Sequence, residues 1–399
     1  MRHLIPTIQL NLSPKQDRRV LSGSPWIYSN EIAMRPEFRQ IAPGTAADFF
    51  TASGQFIGRG FYNPHSLIAG RILTRDREQS IDAAFFTNLL GQRLALRQKL
   101  YTEPFYRLIH AEADGMPGVI VDRFGATLVV EINTAGMDQC RELWLPILID
   151  LCAAKNVILR NEGVARSLEK LQPEKILYRG TAPSGPVQVR ENGLDYTVEL
   201  WDGQKTGWFF DQRDNRALVA GFARGARVLD LYTYLGGFGL LAAHAGAQQV
   251  TLVDRSAPAL ALAKETAAAQ KMDNNCAFVT AEIFDYLPQL SAAGEKFDIV
   301  IADPPAFAKA AKDLPVAKKA YQKLAQLCAG LMAPGGFLFI ASCSYHMPLD
   351  EFSNAIAGGL HRAGRAGRIL RSVAAGMDHP THPHLPHSAY LKGLWLQLD

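Results

Sequence analysis

Cysteine is scarce in this chain of 399 residues: there are five, Cys140, Cys152, Cys276, Cys328 and Cys343, and none forms a C-x-x-C pair. A sparse, odd-numbered set argues against a disulfide framework or a zinc ribbon and suits a reducing compartment. An apolar leader is missing too, since the opening MRHLIPTIQLNLSPKQDRR interleaves charge with short apolar runs. One uncharged stretch, 324–344, is long enough to consider as a membrane span. Pro334, Gly335 and Gly336 interrupt it, so it predicts a helix, a turn and a strand. A cytoplasmic protein with no membrane partner is expected. No G-x-G-x-x-G follows any strand-like run, which disfavours a nicotinamide dinucleotide site. Net charge is also small, at +4, which excludes a polybasic tail and is silent about nucleic acid.

The chain does have enough apolar residues to build cores: 48% are hydrophobic and 20% charged. Its length allows about two to three domains. Residues 1–74 read as short strands punctuated by glycine and proline, as in RRVLSGSPWIYSNEI and GQFIGRGFYNP, and predict a small β-barrel. The basic charge collects there. Residues 1–75 hold nine lysines and arginines, Arg18 and Arg19 among them, against four acids, while the rest of the chain is near neutral. A basic surface on a small barrel is a candidate RNA grip.

Residues 75–195 predict a mixed α+β domain. AAFFTNLLGQRLALRQKLY and ELWLPILIDLCAAK have helical periodicity. YRLIHAEADGMPGVIVDRFGATLVVEIN reads as two strands around a turn, NVILRN as a strand, and VQVRENGLDYTVELW as a β-rich exit. From 196 to 399 the pattern alternates. ARVLDLY, QQVTLVD, CAFVT, FDIVIAD and GFLFIAS are β-rich runs separated by helical segments, and two more strand-like runs close the chain. This predicts an α/β fold with a doubly wound, Rossmann-like parallel sheet.

Ligands of such sheets sit at the carboxyl ends of the strands. The first run leads from Asp230 and Tyr232 into Tyr234-Leu235-Gly236-Gly237-Phe238-Gly239, a turn in which glycine lets the backbone approach a ligand. The second ends in Asp254, placed to accept ribose hydroxyls, and the third is followed by Glu282, suited to an adenine amino group. The fourth ends in Asp303-Pro304-Pro305-Ala306-Phe307, a rigid polar platform with flat apolar surface beside it. Acids and flat surfaces in this order suit S-adenosylmethionine.

The fifth run ends in Ser342-Cys343-Ser344, at the same sheet edge as Asp303. Buried cysteines are ordinarily inert, and that reading fits the other four. A thiol at Cys343 has a chemical use: carbon 5 of cytosine is too weak a nucleophile to attack a methyl sulfonium. A thiolate adding to carbon 6 converts the ring to an enamine whose carbon 5 can do so. Asp303 is placed to assist at the N3 and N4 edge, once the base has left its stack.

Taken together, HAEADGMPGVIVDRFG (110–125), GQKTGWFFDQRDNR (203–216), YTYLGGFG (232–239), DPPAF (303–307), SCS (342–344) and DHP…AYLK (378–392) resemble the large-subunit ribosomal RNA methyltransferase I family. The resemblance spans nearly the whole chain. It implies an N-terminal PUA barrel, a central α+β domain and a C-terminal S-adenosylmethionine domain that methylates cytosine C5 of ribosomal RNA, and it leaves a homodimer open. It further implies Cys343 as nucleophile and Asp303 as its partner. Asp230, Tyr232, Tyr234, Gly236, Gly237, Asp254, Glu282 and Asp303 would hold the cofactor, with Phe210, Asp211, Gln212 and Arg213 at its methionine end. Candidate RNA contacts are Arg18, Arg19, Lys205, Pro304, Pro305, Phe307 and His379. Two departures matter. Glu282 stands where the family often has aspartate, and Ala306 where many other RNA cytosine-5 methyltransferases carry a second cysteine.

Two other readings compete. Asp-Pro-Pro followed by an aromatic also fits methylation of an exocyclic amine, with Cys343 an ordinary strand residue. A basic barrel ahead of a relict cofactor fold would suit a non-catalytic assembly factor. The histidines at 379, 382, 384 and 387 alternate with prolines that fix an extended path, so no metal site is expected, and the segment reads as a loop over the active site.

Overall fold

A computed structural model describes residues 7–181, 183–203, 206–308 and 310–399. They form two compact units. The first draws on Met1–Ser184, Leu200–Gly207 and Met377–Pro386, the second on Gly185–Glu199, Trp208–Gly376 and His387–Asp399.

The first unit contains two five-stranded sheets. One has the spatial order Ile8–Asn11, Thr45–Phe50, Phe56–Tyr62, Gly70–Thr74, Trp26–Ile27, around a core of Leu10, Val20, Ile27, Phe49 and Tyr62. The other runs Glu174–Arg179, Asn156–Asn161, Thr127–Ile132, Val119–Phe124, Phe105–His110. Helices Ala83–Leu100 and Arg141–Cys152 share its core through Phe86, Leu90, Trp144 and Leu148. The stretch expected to form two strands around a turn forms three. Gly125 takes a φ of +63°, so the chain reverses within DRFGAT and adds a hairpin where the apolar pattern reads as one continuous strand.

Several charges are buried in this second sheet's surroundings. Arg97, with no exposure, gives Nη2 to Asp114 Oδ2 at 2.6 Å and Nε to the Arg107 carbonyl at 2.8 Å. Asp114 also accepts the His110 amide at 2.7 Å. Arg107 grips Asp122 through two bonds of 2.5 and 2.9 Å, and Asp378 Oδ2 accepts the Arg107 amide at 3.0 Å. Arg97 Nη2 also donates to the Asp378 carbonyl at 3.3 Å, so a buried guanidinium bridges the HAEADG and DHP segments.

The second unit is built on seven strands: β1 (Arg227–Leu231), β2 (Gln249–Asp254), β3 (Cys276–Thr280), β4 (Phe297–Ala302), β5 (Met332–Ser342), β6 (Gly367–Ala374) and β7 (Lys392–Leu398). Their spatial order is β3-β2-β1-β4-β5-β7-β6; the first five run parallel, and β7 is antiparallel to both β5 and β6. Helices α1 (Arg213–Ala220), α2 (Gly237–His244), α3 (Ala257–Ala269), α4 (Ile283–Ala292), α5 (Leu314–Gly330) and α6 (Leu349–Arg362) accompany them. This is the expected doubly wound, Rossmann-like fold. The hairpin Val187–Glu191/Leu194–Val198 packs with this unit: Val189, Leu194, Tyr196 and Val198 are buried, and the Thr197 amide donates to Thr266 Oγ1 at 2.9 Å.

Removing the Asp114 carboxylate would leave Arg97 charged and unpaired in the interior. Asp114→Ala is expected to cost about 3–5 kcal/mol, read as a lower denaturant midpoint for the unfolding step of the first unit. A loss within experimental error would show that Arg97 does not depend on this pair.

Candidate active site

Five parallel strands paired in register end at one level. Leu231 lies opposite Val253 and Ala302, Asp254 opposite Thr280, and Ala302 opposite Ile340. The residues at or just past the strand ends, Tyr232, Asp254, Glu282, Asp303 and Cys343, therefore collect along a single carboxyl edge.

The turn after β1 is backbone-strained. Tyr232, Tyr234 and Gly236 have φ of +60°, +52° and +79°. Left-handed tyrosines cost on the order of 1–3 kcal/mol each and persist where the surroundings impose them. At Gly236 a side chain would also meet Leu240 Cδ1 at 2.7 Å, so glycine is required there. Two carboxylates impose the turn. Asp230 Oδ2 accepts the Thr233 hydroxyl at 2.5 Å and the Gly239 amide at 2.7 Å. Asp254 accepts the Tyr234 amide at 2.9 Å and the Ser256 amide at 2.8 Å.

The two acids nevertheless differ. Asp230 is 1% exposed, and burial, reinforced by the like charge of Asp303, pushes its carboxyl up to about 7 against its two hydrogen bonds. Of the cofactor residues expected from sequence, Asp230 is thus an internal brace of the turn. Asp254 is partly exposed and each of its oxygens keeps acceptor capacity for a hydroxyl. Glu282, the N-cap of α4, is exposed. The charges of Glu282 and Asp254 both reach the Tyr232 phenol, whose pKa is raised mainly by burial. An acidic pair flanking an aromatic ring fits a ribose and an amino-substituted base.

The FDQR segment is buried throughout. Asp211 Oδ2 accepts the Tyr390 hydroxyl at 2.5 Å, Gln212 Oε1 accepts Asn215 Nδ2 at 2.6 Å, and the Arg213 guanidinium lies 5.4 Å from the Phe210 ring. Its anchor is Glu191 on the hairpin, which accepts Trp208 Nε1 at 3.0 Å and Arg216 Nη1 at 2.6 Å, with Arg213 Nε at 3.5 Å. Neither Glu191 nor Tyr390 stands out in the sequence, because each acts on a segment far along the chain.

At the other end of the edge, alternation sorts the SCS segment. Ser342 and Ser344 are fully buried and turn toward α5, where the Tyr321 hydroxyl donates to Ser342 Oγ at 2.8 Å and lies 3.4 Å from Ser344 Oγ. Ser344 Oγ also accepts the Ala308 amide at 3.2 Å, tying the strand end to the loop after DPPAF. Cys343 points the other way, partly exposed, with Sγ 3.9 Å from the Pro304 carbonyl. The charges of Cys343 and Asp303 both act on Tyr321, whose phenol burial pushes up to about 12. Burial raises Cys140 and Cys328 to about 12 and Cys152 and Cys276 to about 11, which makes those four thiols unreactive.

Two of the expected RNA contacts, Pro304 and His379, are buried. Pro304 is buried and Phe307 packs on Tyr321, with ring centroids 4.7 Å apart, which leaves Pro305 as the exposed residue of the platform. In the first unit Arg18 is exposed, but Arg19 is bound to Glu31 at 2.6 and 3.1 Å, to the Trp26 carbonyl at 2.8 Å and to Ser24, and lies over Tyr28. His379 is 7% exposed: its Nδ1 pairs with Asp378 Oδ1 at 2.7 Å and its ring lies 5.0 Å from that of His110. A buried ring hydrogen-bonded to Asp378 has little surface to offer the substrate contact expected for it. Lys205 lies outside the described residues. Among the described residues no helix is long and apolar enough to cross a membrane.

Comparison with known proteins agrees with this architecture. Residues 10–75 match the PUA-like domain family and residues 175–364 the S-adenosylmethionine-dependent methyltransferase family. The chain is 35% identical over 391 residues to the ribosomal RNA large subunit methyltransferase I of Shewanella denitrificans, covering 97% of this chain and 98% of that protein. To its counterpart in Aeromonas salmonicida it is 34% identical over 383 residues, covering 95% and 96%. Among solved structures, SMU.776 in complex with SAH superposes with a TM-score of 0.83 at 21% identity, covering 98% of this chain and 100% of that one. A SAM-dependent methyltransferase structure from Streptococcus mutans gives 0.82 at the same identity and coverage. The likeness to these two structures is one of fold.

The Asp230 carboxyl carries a pH signature. Its folded pKa of about 7 lies above the unfolded value, so its contribution to stability is full in acid and is lost as pH rises toward and through 7. Asp230→Asn is expected to flatten that decline, measured as the difference in urea midpoint between pH 5 and pH 8. An unchanged difference would remove Asp230 as its source.

Proposed function

The chain belongs to the ribosomal RNA large subunit methyltransferase I family, and within that family we propose that it methylates carbon 5 of a cytosine through a covalent bond from Cys343. It is a S-adenosylmethionine-dependent methyltransferase. The observation that carries the finer reading is the partly exposed Cys343 thiol at the same sheet edge as Asp303, held there by buried serines on either side. Buried as Cys140, Cys152 and Cys328 are, it would have no access to a base, and Cys276, though partly exposed, lies away from Asp303 at the start of β3.

Bound S-adenosylmethionine supplies an electrophilic methyl group. The residues that would hold it are Tyr232, Asp254 and Glu282 around its nucleoside and the segment 210–213 toward its methionine, with Gly236 and Gly237 giving close backbone approach. Asp230 supports this site by bracing the turn. The chain's own part of the reaction is covalent catalysis. The Cys343 thiolate adds to carbon 6 of the flipped cytosine, and the electron pair of the 5,6 double bond becomes available at carbon 5. Asp303 hydrogen-bonds the N3 and N4 edge where the displaced charge collects. Once carbon 5 is substituted, loss of its proton and departure of the Cys343 sulfur restore the aromatic ring.

For the division of labour we propose a barrel at 1–74 that grips RNA, a central domain at 75–195 and a methyl-transfer domain at 196–399. The grip is supported by an open groove of about 400 Å³ whose lining includes Lys15, Gln16, Arg18, Arg19, Glu31 and His384. A cytoplasmic protein is the reading that work on a ribosomal substrate supports.

RNA carrying 5-fluorocytidine at the target is expected to trap a covalent adduct with the wild-type protein and none with Cys343→Ala. Methylation without an adduct would favour attack by an exocyclic amine. Asp303→Asn is expected to lower the methylation rate about 10²–10⁴-fold.

The two neighbouring arginines separate the RNA grip from structural support. Arg18→Ala is expected to lower the salt dependence of RNA binding by roughly one phosphate contact. Arg19→Ala is expected to lower the unfolding midpoint of the first unit, since it strips Glu31 of its partner. An unchanged salt slope in Arg18→Ala would move the grip elsewhere.

A further inference from the structure

Lysine rarely sits inside a protein unless its charge is met. Lys392 is 8% exposed and is the one buried lysine among the described residues. It opens β7, where it lies directly opposite Ser342 of β5, the residue before Cys343. Its Nζ donates to the Ser344 carbonyl and the Met347 carbonyl, both at 2.7 Å. The ammonium is thereby fastened to the turn that follows Cys343, through two neutral carbonyls that leave its charge uncompensated. The tie to the thiol is also electrostatic: burial lowers the Lys392 pKa, and the charge of Cys343 works against that fall.

We propose that Lys392 is a positioning residue that pins the 344–347 turn and holds the neighbouring Cys343 in its thiolate form. A cation in a poorly solvated site stabilises a nearby thiolate far more than an exposed one does. Among the described residues, groups whose charge acts around this strand end include Asp303, from the end of β4; Tyr321, from α5, whose phenol is neutral at working pH; and Lys392, from β7. Lys392 alone among them is positive. The use of that thiolate on RNA rests on the reading of Cys343 as the nucleophile; the charge coupling itself does not.

The test is the rate of iodoacetamide alkylation of the peptide containing Cys343, followed by mass spectrometry across pH in the full-length protein. Wild type is expected to titrate below the ~8.5 of an ordinary thiol. A wild-type midpoint at or above that value overturns the proposal without any variant. Lys392→Met and Lys392→Gln are expected to alkylate about tenfold more slowly at pH 7 with a midpoint moved upward, and Lys392→Arg to restore the profile. An unmoved midpoint in a folded neutral variant, with only its melting temperature lowered, would make Lys392 a structural tie and overturn its electrostatic role. The 5-fluorocytidine adduct is read separately in wild type. Its absence alongside a moved midpoint would overturn the nucleophile while the coupling stands.

Discussion

The site depends above all on the parallel pairing of five strands that stop at one level. Ladder hydrogen bonds fix the register, and the register places the residues at or just past the strand ends on a common edge. Asp254, Glu282, Asp303 and Cys343 come from four separate crossovers, and no local interaction could bring them together. The carboxyl ends of parallel strands are also where helix starts gather and where the backbone leaves the sheet, so polar side chains there can face a ligand instead of a core.

Along that edge the molecule solves two different problems. The β1 end must hold a backbone conformation that tyrosine resists, and it does so with carboxylates that accept amide protons from the turn itself. The β5 end must present a thiol while burying everything around it. Ser342 and Ser344 face Tyr321 on one side of the strand, so Cys343 necessarily faces the other. Burial then distinguishes side chains of the same type. Asp230 and Asp254 both accept backbone amides, yet one is sealed and inclined to protonate while the other keeps capacity for a ligand.

Much of this was legible in the sequence. Short β-rich runs between helical segments give a doubly wound sheet because periodicity is a local property, and Gly236 and Asp303-Pro304-Pro305 mark strand ends because such residues stop strands. Reading failed where one residue reverses a chain, as Gly125 does, or where a side chain's partner is distant. Arg19 looks identical to Arg18 in sequence, but a 2.6 Å pair with Glu31 ties its guanidinium down while leaving it partly exposed. Phe307 looks like a platform for a base and is packed on Tyr321. His379 looks like a substrate contact and is buried against Asp378 and His110.

By itself, then, the sequence determined which chemical groups stand at the ends of which strands, and hence a nucleotide-type cofactor edge with a thiol and a carboxylate on it. Only the tertiary structure decided which of those groups face outward and what surrounds them. The reason is physical: a strand's end is written in neighbouring residues, whereas exposure, ion pairing and local dielectric are set by elements far apart in the chain. Lys392 shows the difference, since a lysine legible only as the end of the AYLK segment becomes, through pairing of β7 with β5, a buried charge fastened to the turn after Cys343.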